Sequence, residues 1–294
     1  MIETKPLKAD CKRLPVSAFV ICFNEEKHIK ECLSSLSFCD EIIVVDSFST
    51  DATVQIAKDC GAIVIQRQWS GYREQKAFAL LQVTNDWVVN LDADERISKE
   101  LRDSILGVLQ SLYKSEEGLY KLREAKEVSS VVGYYANRVV FYLERWWRRG
   151  GWYPEYRLRF FRKSKVTWGG IEPHEKPIPH GETKRLSGEI YHYTYEDMHA
   201  QFKQLMRFAF IAAEQDFKRG KRSRWYHLLI SPLCRVFKFF VLKSGYKEGV
   251  AGWIVAVAEG YYTFVKYARL WELWFYHDRN MTANCKREVV EESE

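Results

Sequence analysis

The chain has 294 residues, of which 47% are hydrophobic, 29% charged and 15% aromatic, with a net charge of +6. That length buries a full core and fits one large domain or a domain with an appendage, in the composition range of globular proteins. Seven scattered cysteines without a CxxC pair argue against a disulfide framework or a zinc site. The N-terminus has no apolar h-region and no run of about 18 apolar residues occurs, so neither a signal peptide nor a spanning helix is expected.

In chain order, Ser17 to Phe23 is a continuous apolar run that reads as a strand buried on both faces. Glu26 to Leu36 has helical spacing, Glu41 to Val45 is a second buried strand, and Thr50 to Cys60 is a helix capped by Ser49 or Thr50. Ala62–Ile65, Tyr72–Val83 and Trp87–Leu91 follow as strand, helix and strand, and Ser98 caps a helix to about Leu112. This alternation predicts a parallel sheet with helical crossovers.

Beyond Glu116 the pattern becomes irregular, with strands expected at Leu119–Arg123, Arg157–Phe161, Lys165–Trp168 and Glu189–Tyr193. Three helices are expected next, over Met198–Lys218, Trp225–Lys243 and Glu248–Tyr276, with a frayed polar tail from Lys286. The expected organisation is therefore a donor-binding half over 1–115, an acceptor-binding and catalytic half over 116–195, a helical basic-aromatic region over 196–280 and a tail over 281–294.

Ligands of such sheets bind beyond the carboxyl ends of the strands. Asn24, Glu25 and Glu26 follow the first strand, Asp46 and Asp51 the second, and Asp92, Asp94 and Glu95 the fourth. Helix capping accounts well for Asp51 and poorly for Asp92 and Asp94. Two carboxylates two residues apart in extended backbone can point the same way and offer hard oxygen ligands to Mg2+ or Mn2+. No GxGxxG follows the first strand and no GxxxxGK[ST] occurs, which disfavours a nicotinamide-dependent dehydrogenase and a P-loop enzyme.

Asn24-Glu25-Glu26, Val45-Asp46-Ser47-Phe48-Ser49-Thr50-Asp51 and Leu91-Asp92-Ala93-Asp94-Glu95 resemble, in order and spacing, the family 2 glycosyltransferases. The resemblance implies a GT-A-type, Rossmann-like, mostly parallel α/β sheet with helices on both faces, here followed by a C-terminal helical region. Trp69-Ser70-Gly71-Tyr72 with Gln75-Lys76, Gly151-Trp152-Tyr153-Pro154 and His174-Glu175 are similar to the lipopolysaccharide core β-glucosyltransferase branch, although Ala77 stands where that branch has Asn. That branch moves glucose or a similar sugar onto inner-core heptose. The resemblance implies an inverting transfer from a nucleotide sugar. Asp46 would then meet uracil or ribose, Asp51 would do likewise or hold its loop, and Glu25 or Glu26 would line the base pocket. Lys76 would neutralise the diphosphate or face solvent. Asp92 would touch ribose and metal-bound water, and Asp94 would ligate the ion.

Inversion needs a base that deprotonates the acceptor hydroxyl. Glu175 is the leading candidate, ahead of Glu172 and His174, in a loop rich in Gly and Pro. His192 is a further metal-ligand candidate or a core histidine. Arg157, Arg159 and Arg162 are read as sharing one strand face, binding acceptor phosphates or facing solvent.

Lys218 to Lys247 carries nine Lys or Arg and no Asp or Glu, interleaved with aromatics. Leu228–Leu242 within it is too short and too charged to span a bilayer and suits a helix lying in the membrane interface; the rival reading packs these helices on each other or in a dimer. The expected partners are a nucleotide-sugar donor, a glycolipid acceptor and the inner surface of the cytoplasmic membrane, with no nucleic acid. Transfer to a polyprenyl phosphate or polysaccharide is the alternative reaction. A non-catalytic basic binding protein for anionic lipid or nucleic acid is the alternative of a different class.

Overall fold

The computed structural model describes residues 13–116, 130–170 and 175–291, with side chains to 279. Two compact units emerge, one made of the described residues up to Val139 with Pro154–Tyr193, the other of Val140–Tyr153 and the chain from Thr194.

In the first unit, β1 (Val16–Cys22) has all seven residues buried, as its unbroken apolar run predicts. Its alternate side chains serve two cores. Val16, Ala18, Val20 and Cys22 face one cluster, while Phe19 and Ile21 face the other. β1 pairs in parallel with β2 (Glu41–Asp46) and with β4 (Trp87–Asp92), and β2 pairs in parallel with β3 (Ile63–Gln66). The crossovers are α1 (Ile29–Ser35), α2 (Thr53–Asp59) and α3 (Tyr72–Gln82). After β5 (Glu95–Ile97), α4 (Lys99–Glu116) sets Leu101, Ile105, Leu109 and Leu112 on one stripe, each at most 1% exposed. Each such burial contributes roughly 1.5–3 kcal/mol. The Ser98 hydroxyl accepts the Leu101 N–H at 3.2 Å, the cap expected from sequence.

Three further strands extend the sheet on the β4 side. They are β6 (Val131–Tyr142), β8 (Glu155–Arg162) and β11 (Glu182–Tyr193), giving the order β3-β2-β1-β4-β8-β6-β11-β5. β4–β8, β6–β8 and β5–β11 are antiparallel, so the sheet is mixed, with β1 to β4 forming its parallel part. β9 (Val166–Gly169) and β10 (Lys176–Pro179) form a separate hairpin. Gly188, at φ +94, lets β11 lie against the start of α4, since a Cβ there would stand 2.3 Å from the Leu101 nitrogen. The strand expected at Leu119–Arg123 falls outside the described residues.

In the second unit, the end of β6 pairs with β7 (Arg145–Trp147) across Leu143 and Glu144, both in left-handed backbone. Tyr142, Trp147, Phe239, Val255 and Ala256 form its core. α5 (Met198–Lys218) and α6 (Trp225–Phe237) each pack on the long α7 (Gly249–Glu291). Asp197 caps α5 by accepting the Ala200 N–H at 2.7 Å. α7 runs through Glu291, past the start of the expected polar tail.

α6 continues into a π-helical turn over Lys238–Leu242, and the expectation that nothing is long enough to span is corrected here. Trp225–Leu242 is 18 residues, sufficient by length and composition, because Trp225–His227 add a helical turn ahead of Leu228. α6 has no buried residue, and Trp225, Leu229, Leu233 and Phe237 are more than half exposed.

Candidate active site

The parallel registers gather the carboxylates. Cys22 is opposite Asp46 and Ile21 is opposite Asp92, so both aspartates flank the last residues of β1 at one sheet edge. β1 is also where the strand order turns back, between β2 and β4, which is the crevice position of open α/β sheets.

The loops after β1 and β2 are laced to each other. The Asn24 N–H donates to Ser49 Oγ at 2.8 Å, and Asn24 Oδ1 accepts the Thr50 N–H at 2.8 Å. Glu26 Oε2 accepts the Ala52 N–H at 3.0 Å, and Asp51 Oδ2 accepts the Glu26 N–H at 3.2 Å. The Glu25 N–H reaches Thr53 Oγ1 at 2.8 Å. Asp46 is fully buried and accepts from the Ser49 amide at 2.9 Å, from the Ser49 hydroxyl and from Gln66 at 3.3 Å. Slight burial pushes the Asp51 carboxyl up, but hydrogen bonds from the Thr53 hydroxyl and amide and from Glu26 outweigh it and hold Asp51 below its usual value.

The end of β4 is built differently, from side chains that come from distant elements. Lys76 on α3 is only 5% exposed. Its Nζ is 2.8 Å from Asp92 Oδ1 and 3.0 Å from Glu175 Oε1. Arg159 on β8 donates to Asp92 Oδ2 at 2.6 Å, to Glu95 at 2.7 Å and to Asn90 Oδ1 at 2.7 Å. Arg138 on β6 is 3.2 Å from Glu95 and 2.6 Å from Glu155, which also takes Arg157. The result is one alternating row, Glu175–Lys76–Asp92–Arg159–Glu95–Arg138–Glu155–Arg157, with four cations balancing four carboxylates. Burial alone pushes the Asp92 carboxyl up, yet Arg159 and Lys76 hold it well below the usual range. Burial lowers Lys76, and Asp92, with help from Glu175, more than restores it.

Asp94 lies outside this row. Its Oδ2 is 3.1 Å from Nε2 of His192, which β11 places opposite Glu95. Burial raises the Asp94 carboxyl and the His192 ring lowers it further, leaving it below its usual value. Among the described residues, no three His, Cys, Asp or Glu side chains group to cage an ion. The donor set fits a shared site instead. Asp94 oxygen and His192 nitrogen suit a divalent cation whose other positions are phosphate oxygens and water.

Glu172 and His174 fall outside the described residues, and Glu175 immediately precedes β10, the second strand of the β9–β10 hairpin. The reading that Arg157, Arg159 and Arg162 share a face is corrected. Arg162 stands an odd number of positions from the other two, and its guanidinium lies 5.1 Å over the Trp87 ring. The sequence reading passed over Asn90 and Arg138 as site residues, and it placed Glu95 at the ligand edge without its buried ion pairs to Arg159 and Arg138. The missed signal was a polar residue inside an otherwise apolar strand, as in Val88-Val89-Asn90-Leu91.

The family description Glycosyl transferase family 2 matches residues 17–165. The chain is 30% identical over 272 residues to the lipopolysaccharide core biosynthesis glycosyltransferase LpsC of Rhizobium meliloti (strain 1021), covering 88% of this chain and 93% of LpsC. It is also 30% identical over 260 residues to the uncharacterized glycosyltransferase RT0209 of Rickettsia typhi, covering 88% and 87%. A solved structure of glucosyl-3-phosphoglycerate synthase from Mycobacterium tuberculosis with Mn2+, UDP and glucosyl-3-phosphoglycerate aligns at 22% identity and a TM-score of 0.32 over 44% of each chain. The basic-binding-protein alternative is thereby set aside, and the chain belongs to glycosyltransferase family 2.

Proposed function

We propose that this glycosyltransferase moves a hexose, glucose in the reading the resemblance favours, from a UDP-sugar to the inner core of a lipopolysaccharide, with inversion. The observation that carries the reading is the ion-pair row in which Lys76 joins Glu175 to Asp92, beside the Asp94–His192 pair, at the carboxyl end of β4. The relation to LpsC, named for lipopolysaccharide core biosynthesis, supports the acceptor class.

In this reading the laced loops of Asn24, Glu25, Glu26, Asp46 and Asp51 shape the uridine pocket. Asp94 and His192 would hold Mg2+ or Mn2+, and Asp92 would reach the ribose or a water on that ion. The ion would offset the negative charge that grows on the departing diphosphate. Glu175 takes the proton of the acceptor hydroxyl as that oxygen bonds to the anomeric carbon and the bond to the diphosphate breaks, releasing UDP. Arg157, at the open end of the row, meets acceptor phosphates.

The exposed apolar residues of α6 and the basic stretch around them support a peripheral seat on an anionic membrane, at the inner face of the cytoplasmic membrane where a glycolipid would be met. Labelled UDP-glucose with Mn2+ tests the reaction on two acceptors, a heptose-terminated inner-core lipopolysaccharide and a polyprenyl phosphate. Label on the first supports the proposal, and label on the second alone moves it to the alternative reaction. Flotation with phosphatidylglycerol vesicles tests the seat. Leu233→Lys with Phe237→Lys should abolish flotation and leave the thermal midpoint in place.

A further inference from the structure

Lys76 lies within the buried stripe of α3. Tyr72, Gln75, Lys76, Ala79, Leu80 and Val83 follow helical spacing, and Gln75, Lys76, Ala79, Leu80 and Val83 are all buried. An ammonium at such a position loses its water and needs charged partners. It has two, from separate parts of the chain: Asp92 at the end of β4 and Glu175 just ahead of β10. The Trp168 ring flanks it, with the centroid 5.9 Å from Nζ.

Glu175 is held from one side. Oε1 is on Lys76 at 3.0 Å, while Oε2 is buried and has no hydrogen-bond partner among the described residues. A buried carboxylate oxygen without a donor costs stability, and an arrangement selected for stability alone would supply one. The asymmetry serves a base, with one oxygen anchored and the other kept for a proton.

We infer that Lys76 is the positioning residue for the general base: its ammonium bridges Asp92 and Glu175, fixing Glu175 relative to the donor end of the site through Oε1 and leaving Oε2 for the acceptor hydroxyl. The inference rests on the proposed role of Glu175. It departs from the expectation that Lys76 neutralises the diphosphate, because both carboxylates already occupy the ammonium.

The two roles separate in a kinetic cycle of wild type, Lys76→Met, Glu175→Gln and the double variant, with Lys76→Arg as a variant that keeps the cation. The readouts are turnover of UDP-glucose with Mn2+ onto heptose-terminated inner-core lipopolysaccharide, UDP affinity by calorimetry, and the thermal midpoint. Positioning predicts that each single variant loses about 10²–10⁴ in kcat. The double variant loses no more than the worse single, since both break one unit. UDP affinity stays within about threefold, and Lys76→Arg keeps most of the turnover. A UDP affinity weakened tenfold or more in Lys76→Met with kcat retained makes Lys76 a diphosphate ligand and overturns the inference, as do losses that multiply in the double variant. An active wild type with an unimpaired Lys76→Met defeats this inference alone. A wild type inert toward the donor and acceptor, or a fully active Glu175→Gln, defeats the proposed reaction or its base, and this inference with it.

Discussion

Two sets of carboxylates occupy the same sheet edge and spend their oxygens differently. After β1 and β2, Glu26, Asp46 and Asp51 accept mainly from amides and hydroxyls of the two loops themselves. At the end of β4, Asp92 and Glu95 are met by Lys76, Arg159 and Arg138 from three other elements. The first set fixes the shape of the two loops and is locally determined. The second is a charge network that exists only when α3, β4, β6 and β8 are assembled, so it couples the position of the candidate catalytic groups to the integrity of the sheet.

The largest effect that would sharpen this contrast is on turnover. Glu175→Gln removes the candidate base and should lower kcat by about 10²–10⁴ while UDP still binds, read by UDP release and calorimetry. Next, Arg159→Met strands two buried or half-buried carboxylates and should cost roughly 3–5 kcal/mol of stability in urea unfolding. A loss under about 1 kcal/mol would show that the row is not a connected network. On the other side of the comparison, Asp51→Ala removes the acceptor of the Glu26 amide and of the Thr53 amide and hydroxyl. It should cost about 0.5–1.5 kcal/mol for a typical lost hydrogen bond and raise the KM for the UDP-sugar more than it lowers kcat in the same assay. The smallest effect is in acid. The folded-state values of Asp92 and Asp94 lie below the ordinary 3.8. Their contribution is therefore complete above about pH 4 and is lost as pH falls through 3.8 toward the folded values. Asp92→Asn should flatten that part of the stability–pH curve.

The parallel half of the sheet was legible because β1, β2 and β4 are buried on both faces and read as unbroken apolar runs. β6 was not. Gly133, Asn137 and Arg138 interrupt its pattern, and it is a strand because β8 pairs with it. The same reason hid Arg138 and the partners of Glu95, whose ion pairs join strands far apart in sequence. Lys76 could have been placed from its position in the α3 stripe, where a solvent-facing lysine would break the helical spacing. The apolar length of Trp225–Leu242 was not legible because Pro232, Arg235 and Lys238 interrupt its pattern.

The central claim is that the β4 end is the donor site and that Asp94 with His192 holds its ion. Calorimetric titration of UDP, with UDP-glucose alongside, with and without Mn2+, on wild type and Asp94→Ala tests it most directly. The account predicts binding to wild type that depends on Mn2+ and is lost in Asp94→Ala. Equal Mn2+-dependent binding to both proteins would contradict it, as would the absence of UDP binding to wild type under every condition.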